Sequence, residues 1–184
     1  NLKGRQVYGD GGFYSSEFLV ENDSHDALKP AIAAVSNPSG DTKFLVVYES
    51  EINVNDVDIY GYLIKGNGGF AGNVFPAVSF NKEISPAVAG SDDAGKYLVV
   101  WREEYDTADN RIKARLFDTD GQYLESIFEI SGKDSDEVAA AAGRNGSFLI
   151  AWEDEPAGKT DRDLFGALLT SSLSYRSYLP LVNR

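Results

Sequence analysis

The sequence predicts an all-β protein of four-stranded antiparallel repeats arranged like the blades of a β-propeller, with an array of β-sandwiches as the alternative. Three observations lead there. The line Phe44-Leu45-Val46-Val47-Tyr48 returns as Tyr97-Leu98-Val99-Val100-Trp101 and again as Phe148-Leu149-Ile150-Ala151-Trp152, at spacings of 53 and 51 residues. A period of that size marks a tandem architecture whose units cannot bury an apolar face alone and stack on their neighbours. This line, strand B of the repeat, has no polar residue in five positions. An antiparallel strand with one wet face would alternate, so B is expected to be covered on both sides. The strand before it, A, is small and apolar, which suits the crowded inner position of radially arranged blades.

Taken along the chain, the first element is half a unit. Gly4 to Phe13 aligns without gaps on Gly61 to Phe70, so residues 1–27 read as strands C and D of a unit without its A and B. Three full units follow, at 28–83, 84–133 and 134–184, giving about three and a half blades and about fourteen strands. Strand A is Pro30-Ala31-Ile32-Ala33, then Pro86-Ala87-Val88-Ala89, then Glu137-Val138-Ala139-Ala140. Strand C is Asp58 to Ile64, Arg111 to Phe117 and Asp163 to Leu169. A turn with Asx-Gly at its centre follows in Asp10-Gly11, Asn67-Gly68 and Asp120-Gly121, where glycine supplies the positive φ of a tight hairpin. Strand D is Asn73 to Val78, Ser126 to Ile130 and Tyr178 to Val182.

The Pro-Ala-Val-Ala, Tyr-Leu-Val-Val-Trp and Asp-Ile-Tyr-Gly stretches resemble the propeller-like repeats of large secreted and cell-surface proteins of bacteria. The resemblance covers nearly the whole chain. It implies an extracellular or cell-surface location and adhesive, spacing or binding work, and it specifies no activity. The ending Tyr178-Leu179-Pro180-Leu181-Val182 is similar to the C-terminal endings of some secreted bacterial proteins.

Composition narrows the partners. The 184 residues carry a formal charge of −12, which disfavours nucleic acid and anionic lipid surfaces. No apolar run approaches the roughly twenty residues that a membrane helix needs. One His and no Cys leave little for a zinc or copper site, and Cys usage says nothing about the redox compartment. Without a Met, and opening inside a repeat, the chain reads as a processed product or a piece of a longer one.

Candidate site residues fall in two sets. The loops between B and C hold thirteen of the 29 acidic residues, and equivalent loops of stacked blades emerge on one face. Asp56, Asp58, Asp106, Asp109, Asp161 and Asp163 therefore stand as a weak Ca²⁺ face, since that ion accepts several carboxylate oxygens at loose geometry, or as solvated loops. Tyr48, Trp101 and Trp152 close strand B in each unit, as platforms that stack sugars or as plugs between blades. Other motifs carry less. Asp118-Thr119-Asp120-Gly121 lacks the later bidentate Glu of a calcium loop, and Gly66 to Gly69 lacks the Lys and helix of a phosphate cradle. Ser91-Asp92-Asp93-Ala94-Gly95 has a faint likeness to the turn of sialidase-type propellers, but reads better as the A–B turn. Ser24-His25-Asp26 are consecutive, and their diverging side chains make no triad.

The expected function is that of a non-enzymatic extracellular structural or adhesive module. It would associate with itself, or with another part of a longer precursor, through exposed strand edges into rings or filaments. The alternatives are a multivalent glycan-binding propeller and, less favoured, a sialidase-like glycoside hydrolase fragment with two carboxylates in a cleft. No cofactor beyond Ca²⁺ is expected.

Overall fold

The computed structural model describes residues 1–21, 24–106, 109–132, 134–155, 161–170 and 176–180, the last stretch as backbone. Its regular elements are fourteen strands and one short 3₁₀ turn. The chain is all-β, and among the described residues none of its sheets closes on itself.

A short antiparallel pair comes first, β1 (Leu2–Gly4) with β2 (Phe18–Glu21). Next comes β3 (Asp26–Ser36), after which β4 (Thr42–Asn53), β5 (Asp56–Lys65) and β6 (Phe70–Ala77) each pair with the strand before them. The same succession runs through β7 (Lys82–Ser91), β8 (Lys96–Asp106), β9 (Asp109–Asp118) and the short β10 (Phe128–Glu129). A separate sheet holds β11 (Ser135–Ala142), β12 (Phe148–Asp154), β13 (Asp163–Leu169) and β14 (Arg176–Pro180) in that order. One parallel bridge, Val57 to Lys82, joins β5 to β7, so among the described residues β3 to β10 form one eight-stranded sheet.

Local sequence explains the hairpins. Gly11, Gly68 and Gly121 all have positive φ, at 87°, 84° and 81°. The same pair of backbone bonds closes each turn: Tyr8 N to Gly12 O, Lys65 N to Gly69 O and Asp118 N to Gln122 O, with glycine amides donating back to Tyr8, Lys65 and Asp118. Asn67 Oδ1 accepts from Gly69 N at 3.0 Å, and Asp118 Oδ1 accepts from the amides of Asp120 and Gln122 at 2.9 Å. β3, β7 and β11 each carry an irregularity near their start, with Lys29, Ser85 and Glu137 at positive φ. Such bulges kink a strand and increase its twist.

Apolar faces of these strand groups pack on one another. Val35, Leu45, Val47, Ile59, Leu63 and Val74 from β3–β6 meet Val88, Tyr97, Val99, Trp101 and Phe117 from β7–β9 in one core. A second core joins Ala89, Leu98, Val100, Ile112, Ala114 and Leu116 of β7–β9 to Phe148, Ile150, Trp152, Ala167 and Leu169 of β12–β13. β8 therefore feeds alternate side chains into two cores, which is the two-sided burial its composition predicts. β12 departs from that expectation. Its Leu149 is 45% exposed because, among the described residues, one of its faces is covered, and the strand alternates more and less buried positions despite its unbroken apolar sequence.

At Gly90 β7 comes close to the backbone of β3. A Cβ there would lie 2.3 Å from Ala34 O and 2.9 Å from Val35 Cγ2. Gly90→Ala is expected to cost about 1–3 kcal/mol, because backbone rather than a flexible side-chain end must give way. Chemical denaturation would read this as a lower midpoint at unchanged slope.

Candidate functional site

The three aromatic candidates lie inside the protein. Trp101 is fully buried in the first core, and Tyr48 and Trp152 are almost as enclosed. Tyr48 stacks on Tyr62, with centroids 6.0 Å apart, and meets Tyr60 edge-on at 6.4 Å. Trp152 stacks on Phe165 at 6.1 Å. A sugar-stacking platform needs an open ring face, and these rings spend theirs on neighbouring strands.

The aspartates whose side chains are described do not assemble. Asp109 takes two bonds from Arg111, at 2.8 and 2.9 Å, and Arg111 also reaches Glu129 at 3.1 Å. Asp106 lies opposite Asp109 in the β8–β9 ladder, and Asp163 lies opposite Asp154 in the β12–β13 ladder. Asp161 is exposed on the approach to β13. Asp56 and Asp58 share the start of β5, where Asp58 is buried and accepts from Ser79 N at 3.3 Å. Among the described residues, no three or more Asp, Glu or His side chains converge as a metal ligand set.

What the fold does bring together is a buried acidic bridge between strand groups. Glu83, on β7, is almost fully buried and accepts a short hydrogen bond from the Ser79 hydroxyl. Its register partner on β8 is Glu103, which accepts from Asn81 Nδ2 at 2.9 Å and pairs with Lys113 Nζ at 2.8 Å. Burial pushes Glu83 up to about 8, helped by the nearby charges of Glu103 and Asp58. Asp58 is also raised, first by burial and then by Asp56. A carboxyl held neutral in this way works as a hydrogen-bonding group within the interface, whereas Glu103 balances Lys113. Glu83 stands out in the sequence only once its pairing with Glu103 is known.

Further clamps cross between groups. Tyr97 Oη donates to Lys43 O at 2.6 Å, and burial raises the phenol to about 12. The Ser91–Gly95 turn reaches both ways: Asp92 Oδ1 accepts from Ser36 N at 2.7 Å and Asp93 Oδ2 from Asn145 N at 2.9 Å. Its acids thus tie three neighbouring strand groups together.

A concavity lies elsewhere. A groove of about 700 Å³ runs between β1 with its following turn and the outer face of β3–β5, lined by Leu2, Tyr8, Phe18, Ile32, Phe44 and Val46 among others. Lys3, Arg5, Gln6 and Lys65 stand at its polar margin. Sequence reasoning did not single it out, because its walls come from residues about thirty to sixty positions apart.

No family model and no curated protein matches this chain. Among solved structures, one described as "Crystal structure of an ACO/RPE65 chimera" superposes with a TM-score of 0.49 at 12% sequence identity, covering 89% of this chain. This chain spans 40% of the length of that one.

Proposed function

We propose that this protein is a non-enzymatic, extracellular structural or adhesive module. Its strands stack as propeller-like blades of four, about three and a half of them in these residues, and it associates through exposed strand edges with a second copy or with another part of a longer protein. The observation that carries this reading is β6. Among the described residues its eight positions pair on one side only, with β5. Phe75 on that strand is 54% exposed, and Phe80 just beyond it is 98% exposed. A long open edge beside large apolar side chains templates pairing with another chain. The recurring turn and bulge in successive strand groups support the blade reading, and the use of aromatic rings and buried acids as packing and clamping groups supports a scaffold role.

Phe75→Lys places a charge on that edge at the loss of one edge-on contact with Tyr60, 5.5 Å between centroids, and leaves the residues of the buried cores in place. Sedimentation velocity should show wild-type species above the monomer mass of 20.0 kDa, and a shift of the variant toward monomer with an unchanged far-ultraviolet spectrum. Identical sedimentation of the two proteins would remove the edge from the account.

A further inference from the structure

We infer that the groove beside β1 is the seat of a further pair of antiparallel strands with this chain's own A–B chemistry, lying outside residues 1–184. The inference rests on the stacked-blade reading above and names the partner surface that reading leaves open. Register makes the comparison position by position. Ile32 pairs with Val46, Val88 with Val99 and Ala140 with Ile150. Likewise Phe44, Tyr97 and Phe148 lie opposite Ile64, Phe117 and Leu169. The three groups thus present the same kind of face.

Two of these faces are covered by the strand group that precedes them. Over Val88, Tyr97, Val99 and Phe117 lie Val35, Leu45 and Val47 of β3–β4, together with residues of β5 and β6. Over Phe148, Ile150 and Leu169 lie Ala89, Leu98 and Val100 of β7–β8, together with residues of β9 and β10. Over Phe44, Val46 and Ile64 lie, among the described residues, Leu2, Phe18 and Val20 from β1 and β2. By their alignment β1 and β2 correspond to β5 and β6 of the first covered interface, and among the described residues no strands correspond to β3 and β4. The consequence is direct: Ile32 is 62% exposed, while its counterpart Val88 is 8% exposed.

The backbone agrees. In each full group the third strand pairs on both sides, as β5 does with β4 and β6. β1 pairs with β2 alone among the described residues, and its other edge borders the groove. An incoming pair would extend β1 by backbone hydrogen bonds and set alternate side chains of its second strand onto Ile32, Phe44 and Val46. The matching chemistry is a small-residue first strand and a second strand with Leu and Val on the inward side, as Leu98 and Val100 are in β8.

The test adds such a pair in register. A copy of residues 82–110 is placed directly before Asn1, so that the copied strand enters β1 as β8 enters β9. A control carries Leu98→Asp and Val100→Asp in the added copy only. The native-sequence extension should raise the melting temperature by several degrees over the control and slow amide exchange at Leu2–Gly4 about tenfold or more. It should also abolish binding of the apolar dye ANS to the groove. Equal melting and exchange for the two extensions would overturn the inference, and so would dye binding that survives the native extension, since the groove would then be a small-molecule site. Because β6 is untouched, failure here is separable from failure of the edge association read by Phe75→Lys.

Discussion

Trp101→Ala should destabilise the protein by about 3–5 kcal/mol, the range for truncating a fully buried aromatic side chain. The indole sits in the core that joins β3–β6 to β7–β9 and is shielded from solvent completely. Removing it takes contacts from Val35, Leu45, Val47 and their partners at once, and neighbours on paired strands cannot collapse freely into the space. In a chain of this size that is a fall of roughly 10 °C in melting temperature. Phe80→Ala supplies the comparison. That side chain is 98% exposed, and its loss should change stability by no more than about 0.5 kcal/mol. A Trp101→Ala protein that melts like wild type would contradict the stacked cores described above.

Glu83→Gln should stabilise the protein, and increasingly so as the pH rises. In the folded chain the Glu83 carboxyl keeps its proton up to about pH 8, against an ordinary value of 4.5. The folded state therefore binds a proton that the unfolded state releases, and stability falls as pH climbs from about 4.5 to about 8, then levels. Each unit of difference is worth about 1.4 kcal/mol, so the full penalty is on the order of 2–4 kcal/mol once relaxation around the site is allowed for. Glutamine keeps an oxygen to accept from the Ser79 hydroxyl and has no charge to bury. Denaturant titrations of both proteins at pH 5, 7 and 9 should show a small difference at pH 5 and the largest at pH 9. A variant that is less stable than wild type at pH 9 would mean that Glu83 works as a stabilising carboxylate.

Much of the backbone was legible in the sequence, since its signals are local. The Asx-Gly turns needed only a glycine able to take positive φ, and Gly11, Gly68 and Gly121 do so. The unbroken apolar run of strand B pointed to two covers, and β8 has them. β12 shows the limit of that argument: the same composition leaves Leu149 exposed, because composition says what a strand tolerates and its neighbours decide what covers it. The site residues were harder to read. Counting acids by loop suggested a shared negative face, yet Asp109 is held by Arg111 two positions away and Asp58 turns toward Ser79 and Glu83. Those partners follow from register and from the stacking of one strand group on the next, and no local pattern encodes either. The groove is the same case, since its floor and wall meet only after β1 has docked on β3–β5.

A module of a larger assembly forms particles heavier than one chain, and the unmodified protein should do so. Light scattering joined to electron microscopy of one sample, over a concentration series, should give particles heavier than 20.0 kDa with a ring or fibre outline. Dispersed particles of 20.0 kDa at every concentration would contradict the account and leave a self-contained domain with an open groove.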